Sequence, residues 1–234
     1  MVLWALAATA LVPQRLSELR TPAPLPPRST LVIGFLGGYD RWNDAHRSVR
    51  RLVLKLRQPP DVYAESISNH RRELAVRLIV DALDTNRDGK LDAEEKSSAR
   101  VILFGQSWGG AAAIATARDL EKLDIPVLLT VQIDSVGVRD DLIPRNVRAA
   151  VNFYQHDALT TIHGRARIRA ADPSQTVILG NFESTYVFRS VDESNASKAR
   201  QVFGGSHTKM ELDPVVWSRV EQYISDAIAR RSQR

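Results

Sequence analysis

The sequence has no cysteine, which excludes disulfides, thiolate metal sites and a cysteine nucleophile without fixing the compartment. Aromatic residues make up only 6%, and no basic patch is interleaved with them. The net charge of +5 comes from scattered Lys and Arg, with pairs such as Arg50-Arg51 and Arg71-Arg72 on expected helices. Nucleic-acid binding is therefore not expected, although a basic surface still favours anionic substrates or interfaces. Long apolar runs are also missing. "VLWALAATALV" near the N-terminus has the length of a signal-peptide core and is too short to span a bilayer as a helix. No Lys or Arg precedes it, and its small-x-small triplet Ala8-Thr9-Ala10 comes early for cleavage. A helix packed on the domain and a secretion or anchoring segment are equally open, and membrane association is expected only through this segment.

What is present suits one large α/β domain. The chain has 234 residues, 44% apolar and 25% charged, ordinary values for a protein with a real core. "TPAPLPPRST" reads as an extended linker, so the expected division is an N-terminal segment and linker over 1–28 and a folded domain over 29–234. From Ser29 onward, strand-like and helix-like segments alternate, the pattern of a mainly parallel sheet with helices on both faces.

"TLVIGFLGG" is a buried strand ending in paired glycines. In "HRSVRRLVLKLRQ", Val49, Leu52, Val53 and Leu56 share a helix face, and Pro59-Pro60 end that helix. "DVYAESIS" alternates as a strand, and "RRELAVRLIVDAL" is a second amphipathic helix. After an acidic loop come a strand "RVILFG", an Ala-rich helix "GGAAAIATARDLEKL", and two strands, "PVLLTVQI" and "AAVNFYQ". Asp213-Pro214 opens a closing helix as N-cap and first-turn proline.

The segment "VILFGQSWGG" holds Gly105-x-Ser107-x-Gly109 between a buried strand and a helix. A sharp strand-to-helix turn lifts a serine hydroxyl above the sheet, and only small neighbours permit it. The start of the helix supplies N–H groups for an oxyanion. A capping serine in a glycine-rich turn is the bland alternative.

Serine needs a base, and there are five histidines. His207 lies in the glycine-flanked "GGSHTKMELDP", expected as a loop before the closing helix, and is the best placed. His156 and His163 follow a strand and could line the site, whereas His46 and His70 read as surface or capping residues. The acid is Asp134, directly after "PVLLTVQI", or Asp157, after "VNFYQH". Asp134 is favoured because its carboxylate would sit at the C-terminal edge of the sheet.

These features resemble the α/β-hydrolase superfamily over roughly residue 29 to the C-terminus, most of all its small lipase- and esterase-like members. The resemblance rests on the glycine-rich strand end "GFLGGYD", the elbow "GQSWGG", a late acid and the histidine. It implies that Gly37 and Gly38 shape an oxyanion hole, with donors from the backbone of Trp108 and of the Gly38-Tyr39 turn. The His-Gly-Gly form of that turn is replaced here by Leu36-Gly37-Gly38.

"DTNRDGKLDAEE" matches the twelve-residue EF-hand loop at every ligand position. Asp84, Asn86 and Asp88 hold positions 1, 3 and 5, Gly89 the sharp turn, and Lys90 offers its carbonyl. Asp92 acts directly or through water, and Glu95 is the bidentate ligand. The exit helix is short and no second loop exists to pair with, so a sensor role is not expected. Because the loop precedes "RVILFG" and Ser107 follows it, about 20 Å of strand separates them. A structural calcium ion is therefore expected, remote from the chemistry, and no organic cofactor.

The expected activity is a serine hydrolase cleaving a small-molecule carboxylic ester through an acyl-enzyme on Ser107. The alternatives are a thioesterase or acyltransferase on the same residues, or an inactive hydrolase fold serving as a calcium-dependent binding module.

Overall fold

The computed structural model describes residues 14–157, 162–194, 196 and 198–230; the apolar run over 2–12 lies outside them. Six parallel strands form the central sheet: β1 (Thr30–Leu36), β2 (Val62–Ser68), β3 (Val101–Gln106), β4 (Val127–Ile133), β6 (Val147–Tyr154) and β8 (Val177–Glu183). Their order across the sheet is β2-β1-β3-β4-β6-β8. Two short strands, β5 (Leu142–Ile143) and β7 (Arg169–Ala170), pair separately.

The helices are α1 (Ser48–Leu56), α2 (Arg72–Leu83), α3 (Ala93–Ser97), α4 (Trp108–Glu121), α5 (Lys198–Leu212) and α6 (Pro214–Ala229). Alternate strand residues separate the core into two layers. Leu31, Ile33, Phe35 and Leu103 pack with α2 and α4, whereas Val32, Leu36, Ile102 and Phe104 pack with α1 and α6. This mainly parallel sheet, with helices on both faces and an elbow after β3, is the α/β-hydrolase fold.

Three segments depart from the sequence reading. Residues 14–28, expected as N-terminal segment and linker outside the folded domain, lie against it. Gln14 donates Nε2–H to Ser66 O at 2.9 Å and accepts from Ser68 N at 3.3 Å, covering groups that edge strand β2 would otherwise expose. The buried Glu65 accepts from Arg20 N, Thr21 N and Thr21 Oγ1 at 2.7, 2.9 and 3.0 Å and pairs with Arg57 at 2.6 Å. A buried carboxylate requires such donors, and the segment supplies them.

Strand β8 has no counterpart among the expected elements. It lies at the other edge, half-exposed, and contains Gly180 and Asn181, residue types that strands disfavour. The expected loop around His207 is instead part of helix α5, broken at Gly205 (φ 47°, ψ −130°). Glycine takes this conformation without a side-chain clash.

Candidate active site

Ser107 follows the C-terminal end of β3 and opens α4 with φ 57° and ψ −129°. Its N–H donates to Ile133 O on the neighbouring strand at 2.9 Å, while its side chain makes no capping hydrogen bond. The hydroxyl is thus not used to cap the helix. The turn closes because its flanks have no side chains. A Cβ on Gly105 would come within 2.3 Å of the Gly109 carbonyl, and one on Gly109 within 2.1 Å of Phe35 O.

Asp134 follows the end of β4, the next strand, and is fully buried with φ 44°. Its Oδ2 lies 2.6 Å from His207 Nδ1. A carboxylate only accepts, so Nδ1 carries the proton and Nε2 of the neutral ring presents a lone pair. Gln106, the residue before Ser107, donates Nε2–H to that lone pair at 3.1 Å.

Three further donors hold Asp134: Gln155 Nε2 at 2.9 Å to Oδ2, Gly164 N at 2.5 Å to Oδ1, and Gln155 N at 3.4 Å to Oδ1. Gln106, Gln155 and Gly164 were not singled out in the sequence. The first two neighbour Ser107 and His156, but an amide side chain carries no signal of what it will face.

Asp157 does not reach His207 in this arrangement. Its carboxylate accepts from Thr185 Oγ1 at 3.0 Å and Tyr186 N at 2.9 Å. Burial opposes its charge, but hydrogen bonds from Ser206, Tyr186 and Thr185 together hold its pKa below the ordinary carboxylate value. Since Ser206 precedes the histidine, Asp157 fastens the backbone that carries His207.

A second set of charges joins the His207 segment to the turn after β1. Arg47 lies 3.4 Å from both Asp40 and Glu211 and 3.2 Å from Asp44. Arg200 pairs with Asp40 at 3.0 Å and also contacts Glu211. Burial raises the pKa of Glu211, and the two arginines pull the other way. Arg47 is shifted toward its charged form by Glu211, Asp40 and Asp44 against its own burial.

The expected oxyanion turn lies beside the serine, since a Cβ on Gly37 would sit 2.9 Å from Ser107 Cβ. Gly38 has φ 52°. Asn69 braces the turn by donating Nδ2–H to Leu36 O at 2.8 Å and Gly38 O at 2.6 Å. Trp108 is the first residue of α4, and its ring meets that of Tyr39 edge-on. His70, expected as a surface or capping residue, stacks on Tyr39. His156 and His163 pack together at 4.7 Å, and His163 adjoins the glycine that holds Asp134. His46 is exposed.

The acidic loop lies before β3, at the sheet edge opposite Ser107. Six strand residues at about 3.3 Å each separate them by roughly 20 Å. Asp84 accepts from Asp88 N and Gly89 N at 3.2 and 2.9 Å, Asn86 from Asp88 N, and Asp88 from Lys90 N. Asp92 caps α3 through Glu95 N at 2.8 Å. Glu95 accepts from Thr85 N, Thr85 Oγ1 and Asn86 N through Oε1 and from Asp92 N through Oε2. Its pKa is lowered, first by the Thr85 hydroxyl and then by the backbone donors. Among the described residues, no three His, Asp or Glu side chains converge as a metal cluster. The all-oxygen donor set and Gly89 at φ +79° suit calcium, but Glu95 would have to exchange its amide partners to bind it.

No protein-family model matches the chain, and no curated protein matches it. Among solved structures it is similar to a dienelactone hydrolase from Anabaena variabilis, with 12% identity, 86% of each chain covered and a TM-score of 0.41. It is also similar to a dienelactone hydrolase-like promiscuous phosphotriesterase from metagenomic libraries, with 15% identity, 90% of this chain and 88% of the other covered, and a TM-score of 0.39. A cutinase-like protein from Cryptococcus sp. has 11% identity, 86% and 95% coverage, and a TM-score of 0.41. Likenesses of this size do not bear on chemistry.

Proposed function

We propose that the chain is a serine hydrolase that cleaves carboxylic esters through an acyl-enzyme on Ser107. The observation that carries this reading is the 2.6 Å contact of His207 Nδ1 with Asp134 Oδ2, at the sheet edge where Ser107 stands on its strained turn. In the reaction, His207 Nε2 exchanges Gln106 for the Ser107 hydroxyl and takes its proton as Oγ attacks the ester carbonyl carbon. The oxyanion accepts hydrogen bonds from the N–H of Trp108 and of the Gly38-Tyr39 turn. His207 then returns the proton to the departing alcohol. Water repeats the sequence on the acyl-enzyme and releases the carboxylic acid, with Asp134 stabilising the imidazolium in both halves.

The reading assigns calcium to the loop at 84–95 as a structural ion. Bound there, it would join α2 to β3, the strand that ends at Ser107, and it has no part in the proton transfers. Labelling by a fluorophosphonate tests the enzyme. Reaction in the wild type that disappears in Ser107→Ala is expected, and well-folded protein that never labels would refute it.

A further inference from the structure

We propose that Tyr39 and Trp108 form an aromatic platform beside Ser107, selecting esters that carry an aryl group over aliphatic esters of equal size. This rests on the hydrolase reading and adds its substrate class. Both rings belong to residues that flank the reacting carbonyl: Tyr39 follows Gly38 in the turn against Ser107, and Trp108 follows Ser107 itself. Tyr39 is 72% exposed and Trp108 is 41% exposed. The two rings meet, so their exposed surface is contiguous and not scattered, and a contiguous apolar patch is the kind of surface that contacts a ligand.

The rings are also held in place. His70 lies under one face of Tyr39 at 5.2 Å with an interplanar angle of 26°. Trp108 stands edge-on to both, at 5.6 Å and 78° from Tyr39 and at 6.2 Å and 76° from His70. The result is a Tyr39–His70 stack with Trp108 standing perpendicular beside it and meeting both rings. A substrate ring placed on the exposed surface of Tyr39 or of Trp108 gains a stacked or edge-to-face contact, the arrangements that aromatic pairs prefer. An alkyl chain of the same carbon number gains neither.

Two matched substrate pairs test the platform and locate the ring. Methyl 3-phenylpropanoate against methyl nonanoate varies only the acyl group, and benzyl acetate against heptyl acetate only the alcohol. In one pair the aryl ester is expected to have a KM about three- to tenfold lower, and that pair identifies the side the ring occupies. Tyr39→Leu and Trp108→Leu should bring the aryl-to-alkyl ratio close to one, whatever they do to absolute rates. Turnover with ratios near one in both wild-type pairs overturns the platform, as do ratios that survive both leucine variants. If no ester turns over, the hydrolase reading fails separately. Fluorescence quenching by benzyl alcohol against cyclohexylmethanol then decides: ring-selective quenching lost in Trp108→Leu supports the platform, and its absence overturns it.

Discussion

His207 Nδ1 and Gln155 Nε2 both bond to the same oxygen, Asp134 Oδ2, at 2.6 and 2.9 Å. One carboxylate thus orients the imidazole while a neighbouring amide orients the carboxylate. In the proposed mechanism, Asp134→Asn should lower kcat by about 10⁴ through the wrong tautomer. Asp157→Asn, which removes a contact to Ser206, should cost stability of about 1–3 kcal/mol and much less rate. Steady-state kinetics beside urea unfolding checks the pair, and the reverse ranking would exchange the two acids.

Asp157 also carries a pH signature. Its folded pKa is depressed below 3.8, so its contribution to stability is present above that value and is lost as pH falls through the folded pKa. Stability curves between pH 5 and 2 should therefore fall more steeply for the wild type than for Asp157→Asn.

Glu211 has the opposite sign. Burial raises its folded pKa above 4.5, so its contribution is complete below 4.5 and declines as pH rises through the folded value. The stability advantage of wild type over Glu211→Gln should shrink from pH 4 to pH 7 in urea titrations. A constant or growing advantage would contradict the assignment. Glu211→Ala, which takes one carboxylate from Arg47 and Arg200 and leaves them paired with Asp40, should cost about 1–3 kcal/mol.

The elbow should tolerate no added methyl. In Gly109→Ala the new Cβ meets Phe35 O at 2.1 Å, a backbone atom that cannot turn away. Overpacking of this kind costs about 1–3 kcal/mol or more, and fluorophosphonate labelling should fall with it. A Gly109→Ala protein with wild-type melting and labelling would show that the turn relaxes.

Calcium should act on stability and leave the chemistry alone. With free ion at about 100 times its Kd, binding adds about 2.7 kcal/mol. Chelator should therefore lower Tm in the wild type but not in Glu95→Gln, with initial rates at low temperature unchanged in both. A Tm indifferent to chelator would remove the metal from the loop.

Some of this architecture is written plainly in the chain. β1, β3 and β4 are largely apolar runs because central parallel strands are covered on both faces, and α6 announces itself by Asp213-Pro214. β8 is not legible, because an edge strand with Gly180 and Asn181 has neither a strong pattern nor full burial. The cover over β2 by residues 14–28 is equally hidden, since its proline-rich composition also suits a free linker.

The same division runs through the site. Local backbone chemistry singles out Ser107, because a Gly-x-Ser-x-Gly turn between strand and helix depends on neighbours within a few residues. Which carboxylate faces His207, 73 residues from Asp134, depends on strands β4 and β6 being adjacent and in register. The contacts of Gln106 and Gln155 and the ion pairs that join Asp40 to the His207 segment likewise require segments distant in sequence to meet in space. The sequence by itself determined the alternating layers, the elbow and the residue types available for chemistry, all of which follow from short-range sterics and periodicity. The partnerships among those residues were decided by the tertiary structure, because a hydrogen bond depends on distance in space and sequence separation says nothing about it.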